Sequence, residues 1–216
     1  MPSSRQPARK HIADKGGNTR TRILATATRH FARHGLSGAR VDTIAADAGV
    51  NIRMVYHYFA SKEGLYLAVL DEAYLGLRRE ELRLDYSALG AREGLLRFFD
   101  FVHDHFEAHP ELVALMTAEN LQEAEYLRRS TQVATRSSPV LKLLSDLLRR
   151  GEKSGEVRCG IDPLQLYMAM VALSYFHLSN AHTVTWIFRQ DVRSPRWRAA
   201  QRRHARHMIA CFLKAQ

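Results

Sequence analysis

Apolar residues recur at helical spacing through most of the chain. Ile23, Leu24, Ala27 and Phe31 share one face of a helix predicted from Thr19, and Gly35 supplies its C-terminal stop. A short helix follows from Val41 to Ala48, closed by Gly49, then another from Ile52 to Phe59. Ser61 suits the N-cap of a longer fourth helix that begins at Lys62. Further helices are predicted over Arg92 to Ala108, Pro110 to about Gln122, around Val140 to Lys153, Leu164 to Asn180 and Trp197 to Leu213. Pro110 and Pro163 stand at helix starts, where a missing N–H costs nothing. No run alternates with the period of a strand and no solenoid repeat appears, so the fold class is all-α.

Two of these helices meet at Gly49 in the run VDTIAADAGVNIRMVYHYF. Ile44, Ala48, Val50, Val55 and Tyr58 can face inward, and Ala45 is small enough for close approach. Glycine at the turn permits the backbone angle of a helix-turn-helix. On the second helix Arg53 and His57 are one turn apart with Met54 beside them, and Asn51 stands at the N-terminus. That array matches the major groove: arginine bonds guanine O6 and N7, asparagine reads adenine, and a methionine lies against a thymine methyl. Tyr56 on the flank and Lys62 at the start of the next helix suit phosphate contacts. Arg20, Arg40 and Thr43 complete the expected DNA-contacting set.

Charge strengthens this reading. In a chain of 216 residues, 32 Lys and Arg against 22 Asp and Glu give a net charge of +10, which favours a polyanionic partner. A hydrophobic content of 46% is enough for one large or two small domains with real cores. Residues 1–18 mix Pro, Gly, Ser and basic residues without period and are expected to form a flexible basic arm. Cys159 and Cys211 are far apart, with no CxxC spacing, which predicts neither a zinc site nor a disulfide framework and fits a cytoplasmic setting. No apolar segment follows the basic N-terminus as in a secretory signal. The most apolar stretch, Leu166 to Leu173, is too short to span a bilayer, so no membrane partner is expected.

Two other function classes compete. His103 with Glu107, or His105 with His109, has the spacing of two metal ligands on one helix face. Two ligands do not make a site, and HExxH, GxSxG, GxGxxG and P-loop motifs are all absent. These histidines read as surface or interface residues, so no metal, cofactor or catalytic residue is expected. A binder using charge alone would share the salt sensitivity but would not need the outward face of the second short helix.

The run GLSGARVDTIAADAGVNIRMVYHYFASKEGLYLAVL resembles the DNA-binding domain of TetR-type one-component repressors. Gly35, Ile44, Ala45, Ala48, Gly49, Val50, Val55, Tyr56, Tyr58, Phe59, Ser61, Lys62, Glu63 and Leu65 carry the resemblance, over roughly residues 19 to 70. The chain departs from the pattern at Ala39 and Arg40, where the family often has Ser or Thr. It departs again at Asn51, Arg53 and Met54, where Ser, Gly and Thr are common, so scaffold and phosphate contacts carry over better than base preference.

The resemblance implies a helix-turn-helix domain over 19–65 and a larger helical ligand-binding and dimerisation domain over 66–216. It also implies a homodimer on a palindromic operator in double-stranded DNA, released by a small-molecule inducer. PLQLYMAMVALSYFHLSN is apolar nearly all round, as expected of a helix between a core and a partner. The segment from Arg193 carries seven Arg and Lys and no acid, yet keeps Ala200, Ala205, Met208, Ile209 and Phe212 for packing. Met116, Asn120, Tyr167, Phe176 and Asn180 are the candidate ligand-binding residues. The two asparagines matter most, because a buried amide needs a partner that a ligand can supply.

Overall fold

The computed structural model describes residues 10–215, with side chains from residue 17 onward apart from those at 134 and 136–138. Among the described residues every regular element is helical. In chain order these are α1 Lys10–Gly38, α2 Val41–Asp47, α3 Ile52–Phe59, α4 Lys62–Glu81, α5 Ala91–Ala108 and α6 Pro110–Leu121. After a 3-10 turn at Leu127–Arg129 come α7 Thr131–Ser154, α8 Pro163–Ser179, α9 Ala181–Phe188 and α10 Pro195–Leu213.

Most boundaries fall where caps and glycines predict them. The backbone leaves the helical region at Gly35 (φ 65, ψ 179), which breaks α1 at the expected stop. Ser61 caps α4, its oxygen accepting from Gly64 N at 3.0 Å. Three boundaries differ. Of the expected arm, residues 1–9 lie outside the described residues, and α1 already begins at Lys10, ahead of the predicted Thr19. α7 starts at Thr131 rather than near Val140 and runs through Pro139; its N-cap is Ser130, whose oxygen accepts from Val133 N at 3.2 Å. α9 was not predicted: it is only eight residues long, and its apolar residues Trp186, Ile187 and Phe188 are consecutive rather than at helical spacing, and exposed.

Two hydrophobic cores share α4. The first gathers Ile23, Leu24, Ala27 and Phe31 of α1 with Ile44, Val55, Phe59, Leu65, Tyr66, Val69 and Leu70, and α6 contributes Leu115. Phe31 meets Tyr66 edge to face, ring centroids 5.0 Å apart. The second is built around Leu95, Phe98, Phe99, Val102 and Phe106 of α5, packed by Leu144 and Leu147 of α7, Leu166 and Met170 of α8, and Ala205 and Ile209 of α10. Each fully buried Phe or Leu contributes about 1.5–3 kcal/mol.

The basic run of α10 is matched by acids on α5. Arg198 pairs with Glu107 at 3.0 Å, Arg202 with Asp104 at 2.8 Å, and Arg206 with Asp100 at 3.0 Å. The helix therefore docks by charge as well as by its apolar stripe. None of the described helices is long and apolar enough to cross a membrane.

Candidate nucleic-acid interface

The turn between α2 and α3 is fixed by its backbone. Val50 N donates to Ala45 O and Gly49 N to Ala46 O, both at 3.0 Å, which is the paired closure of a Schellman motif. Gly49 sits at φ +64, with nothing within 4 Å of an added Cβ, so the left-handed angle rather than space selects glycine. Val55 and Phe59 of α3 pack inward with Val41, Ile44 and Ala45 of α2, while Val50 and Tyr58 are half-buried against the same core.

Turning those residues inward sets Arg53, Tyr56 and His57 outward on one helix face, all exposed, with Met54 half-buried beside them. Asn51 caps the helix: its Oδ1 accepts from Arg53 N at 2.9 Å. The amide oxygen is therefore engaged, and Nδ2 is the group left for a base edge. The two-atom adenine contact expected from the sequence competes with the cap.

At the other end of α3 the chain reverses through Ala60 (φ +62) into α4. A Cβ on Gly64 would lie 2.1 Å from the Phe59 carbonyl oxygen, so only glycine lets α4 start this close to the end of α3.

The expected phosphate contacts flank this helix, and several already have partners. Arg40 precedes α2 and bonds Asp42 in a fork, Nη2 to Oδ2 at 2.7 Å and Nε to Oδ1 at 3.2 Å. Thr43 N donates to the same Oδ1 at 2.7 Å. The Arg40 guanidinium, then the Thr43 amide, hold the Asp42 carboxyl down at about 2. Arg20 on α1 lies over the Phe59 ring, 5.4 Å from its centroid. Lys62 Nζ donates to Ser37 O at 3.3 Å and so ties α4 to the end of α1. The sequence singled out these cations; their acidic and carbonyl partners escaped it, although Arg40 and Asp42 two residues apart are a visible signal.

The expected ligand-binding residues are less coherent. Tyr167 is the best placed: its hydroxyl accepts from Arg78 Nη2 at 2.7 Å and donates to Glu81 Oε1 at 3.4 Å, within the second core. Met116 packs against that core as well. The buried-amide argument fails for the asparagines. Asn120 is exposed and donates to Met116 O at 2.9 Å, and Asn180 donates to Phe176 O at 3.2 Å and to Ser179 Oγ at 2.9 Å, each using its own helix as partner. Phe176 is 60% exposed.

The reading of the α5 histidines as surface or interface residues needs correction at two of them, while His109 at the end of the helix is exposed. His103 and His105 are buried, because α5 is the central helix of the second core.

α8 and α10 form a separate apolar surface. A groove of about 600 Å³ between them is walled by Ile161, Leu166, Ala169, Leu173, Met208 and Phe212. Met168 of α8 is exposed on the same helix, as are Met208 and Phe212 of α10.

Comparison with known proteins agrees with this geometry. Residues 23–69 match the family model of bacterial regulatory proteins of the tetR family. Residues 92–209 match the tetracyclin repressor-like C-terminal domain. The HTH-type transcriptional repressor NicS of Pseudomonas putida is 30% identical over 180 residues, 83% of this chain and 85% of that one. The HTH-type transcriptional repressor SCO4008 of Streptomyces coelicolor is 31% identical over 164 residues, 72% of this chain and 76% of its own. Among solved structures, the regulator SCO4942 from Streptomyces coelicolor superposes with a TM-score of 0.64 at 29% identity, covering 88% of this chain and 97% of that chain.

Proposed function

We propose, since this chain belongs to the TetR family of bacterial regulatory proteins, that it is a homodimeric cytoplasmic repressor which binds a palindromic operator and is released by a small-molecule inducer. It is a DNA-binding transcriptional regulator, not an enzyme. The single observation that carries the finer reading is α3, capped by Asn51 and set by the Gly49 turn so that Arg53, Tyr56 and His57 stand exposed on one face.

Arg53, His57 and Met54 would face base edges. Arg20, Arg40, Thr43, Tyr56 and Lys62 would bind the backbone and set register. Arg40 reaches a phosphate by exchanging Asp42 for it, a swap between two anions that costs little for an exposed pair. The exposed apolar face of α8 and α10 supports two-fold pairing, and a two-fold dimer presents two copies of α3 to a site of matching symmetry.

Release would work by population shift. α4 connects the turn after α3 to Arg78, Glu81 and Tyr167, so a ligand bound near Tyr167 that prefers one setting of α4 also changes the spacing of the two recognition helices. NicS and SCO4008 are named as repressors, and this supports the sign of the response.

The test is an anisotropy titration of the full chain on a selected duplex and on scrambled duplex at about 0.15 M salt. A specific regulator should prefer its site by roughly 10³-fold or more. Equal affinity for both would contradict specific recognition.

A further inference from the structure

α5 and α8 bring together three side chains that DNA binding does not use. His103 and Glu107 lie one turn apart on α5 and meet His177 of α8, and one ligand-capable atom from each lies within 4.8 Å of the others. His103 is 2% exposed and His177 5%. Their rings stack with centroids 5.6 Å apart. His177 Nε2 stands 3.3 Å from Glu107 Oε1, which is about the separation of two ligands in a tetrahedral site with bonds near ~2.0–2.1 Å.

The cluster is short of partners. Both ring nitrogens of His103 and Nδ1 of His177 are buried with no hydrogen bond. A neutral imidazole carries one N–H and one lone pair, and a folded interior rarely leaves both unmatched. Glu107 presents Oε1 to His177, while its Oε2 accepts from Arg198 Nη1 of α10 at 3.0 Å. That guanidinium orients the carboxylate as an outer-shell partner does, and its charge tempers the affinity of the site for another cation.

We propose that His103, Glu107 and His177 form a binding site for a divalent transition-metal cation of the zinc class, with the remaining coordination position open to water or another donor. Two imidazoles and one carboxylate suit zinc, cobalt or nickel, whereas magnesium and calcium take oxygen ligands. The bound ion would fasten α5 to α8, with Arg198 carrying the link to α10.

Co²⁺ added to the full chain after treatment with a chelator tests this. The expected result is one Co²⁺ per chain with the visible spectrum of a low-coordinate ion. Affinity should be about 10-fold or more weaker in Glu107→Gln and His177→Gln. A rival surface pair exists: Cys211 Sγ lies 3.4 Å from His207 Nε2 and both are exposed. Affinity should therefore be unchanged in the double variant His207→Gln, Cys211→Ser.

A second readout leaves the cluster intact and is independent of how the His177 variant folds. The Trp197 ring lies 5.7 Å from that of His177, and the chain's other tryptophan, Trp186, is exposed. In Trp186→Phe, bound Co²⁺ should quench the remaining fluorescence with the same midpoint as the visible spectrum. No saturable uptake, uptake that disappears with His207 and Cys211, or uptake without quenching of Trp197 would each overturn the assignment.

Discussion

Arg78 donates through Nη2 to the phenol oxygen of Tyr167 at 2.7 Å, joining α4 to α8. The same guanidinium holds Glu81 at 2.5 Å through Nη1, and Glu81 is fully buried. α4 starts at the turn that ends the outward-facing helix, so this triad is where the DNA-binding half meets the C-terminal core. Burial pushes the Glu81 carboxyl up to about 7 against the pull of Arg78.

That shift sets the sign of a pH effect. The folded value lies above the ordinary 4.5, so the native chain keeps a proton that the unfolded chain releases. The stabilisation is whole below about pH 4.5 and is lost as pH rises through about 7. In Glu81→Gln the titration is absent. Denaturant unfolding from pH 5 to 8 should show the native chain losing on the order of 1–3 kcal/mol relative to the variant. A difference that stays constant over this range would contradict the buried, raised carboxyl.

Arg53 and Tyr56 should fail differently. Arg53→Ala is expected to cost about 1–3 kcal/mol on the preferred site and to relax preference at one base pair in each half-site. Tyr56→Phe should weaken binding to all duplexes by similar factors, since a phosphate contact carries no sequence information. A panel of singly substituted duplexes separates the two, and equal losses on every duplex for Arg53→Ala would rule out base reading.

Gly64→Ala should lower the stability of the N-terminal half by at least about 1–3 kcal/mol. The added methyl would meet the Phe59 carbonyl oxygen at 2.1 Å, a backbone atom that moves only if the end of α3 moves. Thermal unfolding checks the cost. An unchanged melting temperature would mean that α4 does not start as close to α3 as described.

Asn51→Ala should destabilise by about 1 kcal/mol through loss of the cap, and Asn51→Ser, which can still accept from the backbone, should recover most of it. Circular dichroism melts of the three chains decide this. A fully stable alanine variant would show that the Oδ1 contact with Arg53 N contributes nothing.

The fold was legible in the sequence wherever a local signal and tertiary packing agree. Gly35, Gly49 and Ser61 mark breaks and caps through their own backbone chemistry, and the apolar spacing of Ile23, Leu24, Ala27 and Phe31 names the face that is buried. α7 begins well ahead of the predicted Val140, because Ser130 caps a helix that runs on through Pro139. α9 gave no period, since three of its apolar residues, Trp186, Ile187 and Phe188, stand in one consecutive run.

Of the site, the outward face of α3 was readable from spacing alone. The partners of Arg40 and Lys62 were less so, and those of Asn120 and Asn180 are set by local side-chain geometry that residue type does not specify. His103 and His177 are far apart in sequence, and only the packing of α5 on α8 brings them together.

The central claim is specific recognition by a two-fold dimer. It is tested most directly by selecting bound sites from random duplex DNA with the purified full chain, at moderate salt so that charge alone does not decide the outcome. The expected result is an enriched palindrome whose half-site centres are separated by about one helical turn, roughly 34–36 Å, or a multiple of it. Tight, salt-sensitive binding with no enriched sequence would contradict it.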